Sequence, residues 1–191
     1  MLWIGNLEFQ SYKIMAKNNN LLLILIISAI VLGSRFLPHT PNFSPLLAVT
    51  LFTAVYANKK LFFLPFLVLF ISDIFIGFYT VGVMFSVYFS LLLTLFLGKL
   101  LSKHYNVINT LSASLFSALL FFFITNFAVW YFGDWYARDF AGLISCYTLA
   151  IPFFKTTLAS NLLYTGLLFG AYETLFYFLF KKKNSIQATK A

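Results

Sequence analysis

The sequence predicts an all-α protein: a polytopic bundle of transmembrane helices with six spans, both termini cytoplasmic, and one interfacial helix before the last span. Three observations predict it. Of 191 residues, 61% are hydrophobic and only 9% are charged, against about 25% charged in an ordinary soluble domain. The mean hydropathy of +0.90 is more apolar side chain than a globule of this length can bury, whereas a bilayer takes about 20 apolar residues per helix. The few charges stand at the ends of apolar runs, where membrane helices keep them. The formal net charge of +8 therefore reads as flanking charge. Nucleic-acid binding is not expected, because the lysines come in ones, twos and threes without forming a groove. The single cysteine, Cys146, leaves no partner for an internal disulfide, and no second Cys or His lies at metal-ligand spacing. Neither a metal nor a cofactor is expected.

Residues 1–20 are polar, with Lys13, Lys17 and the asparagines Asn18, Asn19 and Asn20, and read as an N-terminal tail; translation starts at Met1 or at Met15. Residues 21–37 form the first span. The charged start resembles a signal peptide, but no small-residue cleavage site follows, so the helix is read as retained. Three prolines among residues 38–45 force a loop. Ser44 followed by Pro45 reads as an N-cap with proline at the first helical position, opening a short second helix that runs to about residue 57 and is barely long enough to cross. Lys59 and Lys60 turn the chain into a third span over 61–79. A fourth covers 81–101 and a fifth 107–132. In the stretch 133–155, Asp134, Trp135, Arg138 and Asp139 are interfacial in character, and the apolar run 141–154 is shorter than a span, so it reads as a surface-lying or partly inserted helix. The last span is 156–180. Residues 21–180 thus make one six-helix membrane domain, and 181–191 a basic cytoplasmic tail.

Loops rich in Lys and Arg stay in the cytoplasm. Six spans put ten of the thirteen basic residues on the face that holds both termini, leaving only Arg35, Arg138 and Lys155 on the other. Both ends are therefore cytoplasmic, and the expected location is the inner membrane, crossed several times.

That topology assigns a depth to each polar residue. Asp73, Asn126 and Asn161 fall about 8–9 Å below the outer face, and Arg35 slightly higher. An Arg and an Asp left unpaired there cost about 2.5–3.5 kcal/mol each, so an Arg35–Asp73 pair is expected. Trp130 follows Asn126 by four residues and Tyr164 follows Asn161 by three, which puts each amide on a face with a ring. Such a pocket suits a small heteroaromatic or amide-bearing solute. The competing reading is that these groups tie helices together. The loop carrying His39 and Asn42 lies on the same side as a lid. Gly166 and Gly170, continued by Glu173, make a small-residue ridge on the last span, and Ala29 with Gly33 makes another on the first. Both are candidates for close helix packing, within the bundle or with a partner. No partner in the sequence is evident for Glu173.

Catalysis is not expected. No Gly-rich loop opens a helix in phosphate-binding form, no Ser-His-Asp set assembles at one depth, and the two histidines fall on opposite sides of the membrane. Function divides between a solute-binding transport subunit, a structural or assembly subunit of a membrane complex, and, last, an intramembrane enzyme.

The segment 35–45, Ser72-Asp73, Thr125-Asn126-Phe127 with Trp130, and the stretch from Gly142-Leu143 through Cys146-Tyr147 to Ile151-Pro152-Phe153-Phe154 resemble an uncharacterised family of small bacterial six-helix membrane proteins labelled as candidate transport proteins. The resemblance covers about residues 21–180 and implies a transport class without a substrate. More loosely, the helix plan resembles the substrate-binding S components of energy-coupling-factor transporters. That likeness implies an outer pocket, docking through small residues of the first helix, here Ala29 and Gly33, and a membrane-coupled ATPase module as partner. The chain itself has no nucleotide-binding loop and no paired repeat with broken helices, so it is not expected to power transport alone.

The topology is testable by accessibility labelling of single cysteines introduced at residues 40 and 185. Residue 40 should label from the periplasm and residue 185 only from the cytoplasm; the reverse pattern at either position overturns the orientation.

Overall fold

A computed structural model describes residues 21–36, 41–57 and 59–190. Among them are six α-helices, one short 3-10 turn at Lys59–Leu61 and no strand: α1 Leu21–Ser34, α2 Leu46–Tyr56, α3 Leu64–Ile76, α4 Val81–Leu101, α5 Val107–Phe132 and α6 Phe140–Lys190. Three helices are long and apolar enough to cross a membrane: α4, α5 and the Phe140–Leu175 portion of α6. The other three have 14, 11 and 13 residues, about 16–21 Å of helix, less than the roughly 30 Å hydrocarbon core. The third span expected over 61–79 is shorter than that, because Pro65 stands in its first turn and Gly77, at φ +113°, ends it; that backbone conformation is nearly closed to other residues.

The helix ends are set locally. Ser44 Oγ accepts the Leu46 amide at 3.3 Å, so α2 opens one residue later than a cap at Ser44 would place it. Asn106 caps α5 by accepting the Asn109 amide at 2.7 Å. Asp139 accepts the Gly142 amide, also at 2.7 Å, and so caps α6, an assignment its charge alone did not suggest.

The largest departure from expectation lies in α6. No separate interfacial helix covers 141–154: the helix runs unbroken from Phe140 to Lys190, through Pro152. Its first half packs along the end of α5. Cys146 Sγ lies 3.4 Å from the Asn126 carbonyl oxygen, Tyr147 donates to the Phe123 carbonyl at 2.7 Å, and the Phe154 ring meets Phe122 at 4.8 Å. A neighbouring helix holds this stretch upright, which its length alone could not reveal. At about 1.5 Å per residue, 51 residues make a rod of roughly 76 Å, so its C-terminal part continues past the start of α5.

α2 is the axis. It touches all five other helices, and each of its residues from Leu46 to Tyr56 is buried. Around it α4 packs on α5, α5 on α6 and α1 on α3. α4 meets α2 at Gly98, where an added Cβ would come within 2.5 Å of the Ala54 Cβ and 3.0 Å of the Leu51 carbonyl oxygen. Gly98 continues a row of buried small residues, Ser86, Ser90 and Thr94, at the four-residue spacing that makes one helix face. The serine and threonine hydroxyls bond back along their own helix, as in Ser90 Oγ to the Ser86 carbonyl at 2.7 Å and Thr94 Oγ1 to the Ser90 carbonyl at 2.9 Å, so no hydroxyl in the row is stranded.

Gly98→Ala should therefore lower the melting temperature in detergent, although alanine is the better helix former; forcing a methyl group into a filled contact costs about 1–3 kcal/mol. Gly166→Ala, where an added Cβ meets nothing within 4 Å, should hold or raise it. Thermal unfolding of the two variants side by side checks the prediction.

Candidate functional site

The chain reverses direction at each connection, so the end of α1, the start of α2, the end of α3, the start of α4, the end of α5 and the start of α6 gather at one end of the bundle. There the short helices leave a cavity of about 400 Å³, walled by Leu46 and Leu47 of α2, Leu69 of α3, Val87 of α4 and Phe121 of α5, with Arg35, Asn42, Ser44, Tyr79 and Thr157 as its polar lining. A second lobe of about 210 Å³ adjoins it, sharing Asn42, Val87, Phe121 and Thr157 and adding Thr125 and Asn126.

Arg35 and Asp73 meet, with Nη2 donating to Oδ1 at 3.0 Å. The Asp73 side chain is 2% exposed and that of Arg35 21%, so the carboxylate is shut behind the guanidinium and only Arg35 faces the cavity. Tyr88 of α4, a residue the sequence did not single out, donates to the other oxygen, Oδ2, at 3.1 Å. Three helix segments are thus tied through one carboxylate. Nothing in the sequence marked Tyr88, since in so aromatic a sequence one more tyrosine carries no signal. Arg35 Nε is buried and has no hydrogen-bond partner among the described residues.

The remaining expected site residues are dispersed. Asn42 lines both lobes and adopts the left-handed conformation, at φ +62°, that asparagine tolerates better than most residues. Asn126 lines the second lobe and donates from Nδ2 to the Phe122 carbonyl at 2.8 Å. His39 lies outside the described residues. Trp130 shares no wall with these groups, since its indole N–H donates to the Ala137 carbonyl at 2.9 Å and so fastens the α5–α6 connection. Tyr164 packs edge-on against Phe43 at 5.8 Å, beneath the loop that precedes α2.

Asn161 is a tie between helices. It is fully buried, and its Nδ2 donates to the Ser114 carbonyl at 2.8 Å and to Ser117 Oγ at 2.9 Å, while Thr165 Oγ1 reaches Ser114 Oγ at 3.2 Å. Those partners lie 9–12 residues before Asn126 on α5, about 14–18 Å along the axis. Asn126 and Asn161 are therefore not at one depth. The expectation failed because it began the last span at residue 156, whereas α6 begins at Phe140.

At the opposite end, Glu173 has the partner the sequence did not show: the Tyr56 hydroxyl donates to Glu173 Oε1. Phe52, Tyr56, Phe169 and Tyr172 surround it in one aromatic cluster, with ring centroids 4.1–5.5 Å apart. Beside it lies a groove of about 200 Å³ that includes Gly166, Gly170 and Tyr105; burial there pushes the Tyr105 phenol up to about 12. Gly166 and Gly170 are exposed, as are Ala29 and Gly33, so neither expected ridge packs within the described bundle.

A family model described only as a family of unknown function, DUF6580, matches residues 15–185, and the chain belongs to that family. No curated protein and no solved structure matches the chain.

The ion pair makes a double-mutant cycle informative. Asp73→Asn should strand a largely buried guanidinium and destabilise by about 3–5 kcal/mol, while Arg35→Met with Asp73→Asn should recover part of the loss. Tyr88→Phe, which removes one hydrogen bond to a charged group, should cost about 1.5–3 kcal/mol. Melting temperatures in detergent read all three together with Arg35→Met alone; additivity of the two single changes at positions 35 and 73 would show that the side chains act independently.

Proposed function

We propose that this member of the DUF6580 family is a multi-pass protein of the bacterial inner membrane that serves as a solute-binding transport subunit, its cavity opening to the outer face and both termini in the cytoplasm. The observation that carries the reading is an unfilled cavity with a charged wall: Arg35, paired to the enclosed Asp73, faces about 400 Å³ of space. Ionisable groups inside a membrane bundle are costly, and they are kept where they line a solute path or site. A purely structural subunit has no use for the space, and with 26 phenylalanines in the chain material to fill it is not scarce.

In this reading the three short helices cross together with the three long ones, giving six passes. The count of basic residues supports that orientation, with Lys99 and Lys103 at one end of the bundle and Arg35 and Arg138 at the other. The exposed Gly166 and Gly170 beside the groove near Glu173 favour a partner subunit as well. The transport reading assigns that place to a membrane-coupled ATPase module, since the sequence offers no energy source of its own. An assembly subunit is the second reading, supported by the same exposed ridge.

Native mass spectrometry of the gently purified protein separates the two. A transport subunit should retain a small molecule that is absent from Val87→Trp, because Val87 lines both lobes and an indole there fills them. A wild-type spectrum with a copurifying subunit and no small molecule would decide for assembly.

A further inference from the structure

We infer that the solute taken by this cavity is electrically neutral and carries an amide, a carbonyl acceptor beside N–H donors on a flat ring, and that Asp73 sets the choice by cancelling the charge of Arg35. The inference rests on reading the cavity as a solute site.

The charge comes first. Among the described residues lining the two lobes, Arg35 alone is charged, and its counter-charge stands directly behind it at 3.0 Å. Asp73 cannot compete for the solute. Its side chain is enclosed, and its two oxygens are taken by Arg35 and Tyr88. The wall is therefore neutral as a unit. A carboxylate entering this space leaves one negative charge in excess within a poorly solvated bundle, and an ammonium adds a second cation beside the guanidinium; a neutral solute incurs neither penalty.

Hydrogen-bond capacity then divides the site. At the Arg35 end it donates, because a guanidinium has five N–H groups and no acceptor. At the Asn126 end it accepts. The Thr125 hydroxyl spends its one hydrogen on the Phe121 carbonyl at 2.7 Å and the Thr157 hydroxyl on the Phe153 carbonyl at 3.0 Å, so both offer only lone pairs to the cavity. Asn126 has committed one Nδ2 hydrogen to the Phe122 carbonyl, which leaves its carbonyl oxygen to accept beside one remaining N–H. An amide matches both ends, with its oxygen toward Arg35 and its N–H groups toward Thr125, Thr157 and Asn126. Between them Leu47, Leu69, Val87 and Phe121 supply apolar surface for a ring.

Three probes of one shape and different charge test this: benzamide, benzoate and benzylamine, titrated by ligand-observed NMR against the full-length protein in nanodiscs. Wild type should hold benzamide about tenfold more tightly than either charged probe, roughly the ratio one good hydrogen-bonding difference gives, and Val87→Trp should lose it. Asp73→Asn, by releasing the guanidinium from its counter-charge, should turn the preference to benzoate. Thr125→Val, which removes an acceptor at little change of shape, should weaken benzamide several-fold and leave benzoate unmoved; it serves if the Asp73 variant does not fold. Benzoate preferred by wild type and lost in Val87→Trp overturns the inference and leaves the solute site standing. Equal behaviour of wild type and Val87→Trp toward all three probes overturns both.

Discussion

The complete burial of α2 is the constraint on which the other features depend. Eleven residues with no exposed face have to be covered from every direction, and five helices do so. In a bilayer no hydrophobic drive brings helices together, because lipid chains are as apolar as leucine; close van der Waals approach has to do it. Close approach needs small residues on the facing helices. α4 supplies Ser86, Ser90, Thr94 and Gly98, α5 supplies Ser114 and Ser117, and α6 supplies Ser160, Asn161 and Thr165, all buried. Their hydroxyls return to their own helix or to a neighbour, so the price of polarity inside the bundle is largely avoided.

The same axis explains where the cavity lies. α1, α2 and α3 are too short to fill the bundle from end to end, and the proline-rich segment before α2 cannot extend it as helix. Space remains where these helices meet the start of α4 and the end of α5. Without a counter-charge, Arg35 in that space would be an unbalanced ion, so the position of Asp73 on α3 and of Tyr88 on α4 follows from having the guanidinium there at all. Phe36 and Phe75, edge-on at 6.2 Å, reinforce the same α1–α3 contact beside the ion pair.

How much of this was legible in the sequence differs by residue. The limits of α4 and α5 coincide with the expected 81–101 and 107–132, because each is a long apolar run between polar breaks. The Arg35–Asp73 contact was legible because opposite charges at similar depth have few other partners. Asn161 was placed at the wrong depth because the apolar run 141–154 read as a separate helix too short to span, whereas α5 packs alongside and α6 runs on from Phe140 through Pro152. A proline removes one backbone donor and strains one turn, which a helix held by a neighbour over many residues can sustain. The packing ridges were missed because they are built of serine and threonine, which read as polar in a sequence; the glycine ridges that did stand out, Gly166–Gly170 and Ala29–Gly33, are the exposed ones.

Asp73, buried at one end of the bundle, and Glu173, half-buried at the other, illustrate how a carboxylate serves two ends. Asp73 answers a cation and leaves that cation facing open space. Glu173 accepts from a phenol, Tyr56, whose ring is itself packed against Phe52, Phe169 and Tyr172. The first arrangement keeps donors available to something that enters. The second joins the last turn of α2 to α6 and keeps its donor turned inward, since a phenol whose one O–H is donated to a carboxylate has none to offer elsewhere. The larger open space therefore lies at the Arg35 end, where the bundle is incompletely filled, and fastening at the Glu173 end, where α2 closes against aromatic rings. A bundle organised around so short an axial helix needs both, because the slack that makes a cavity at one end has to be prevented from spreading to the other.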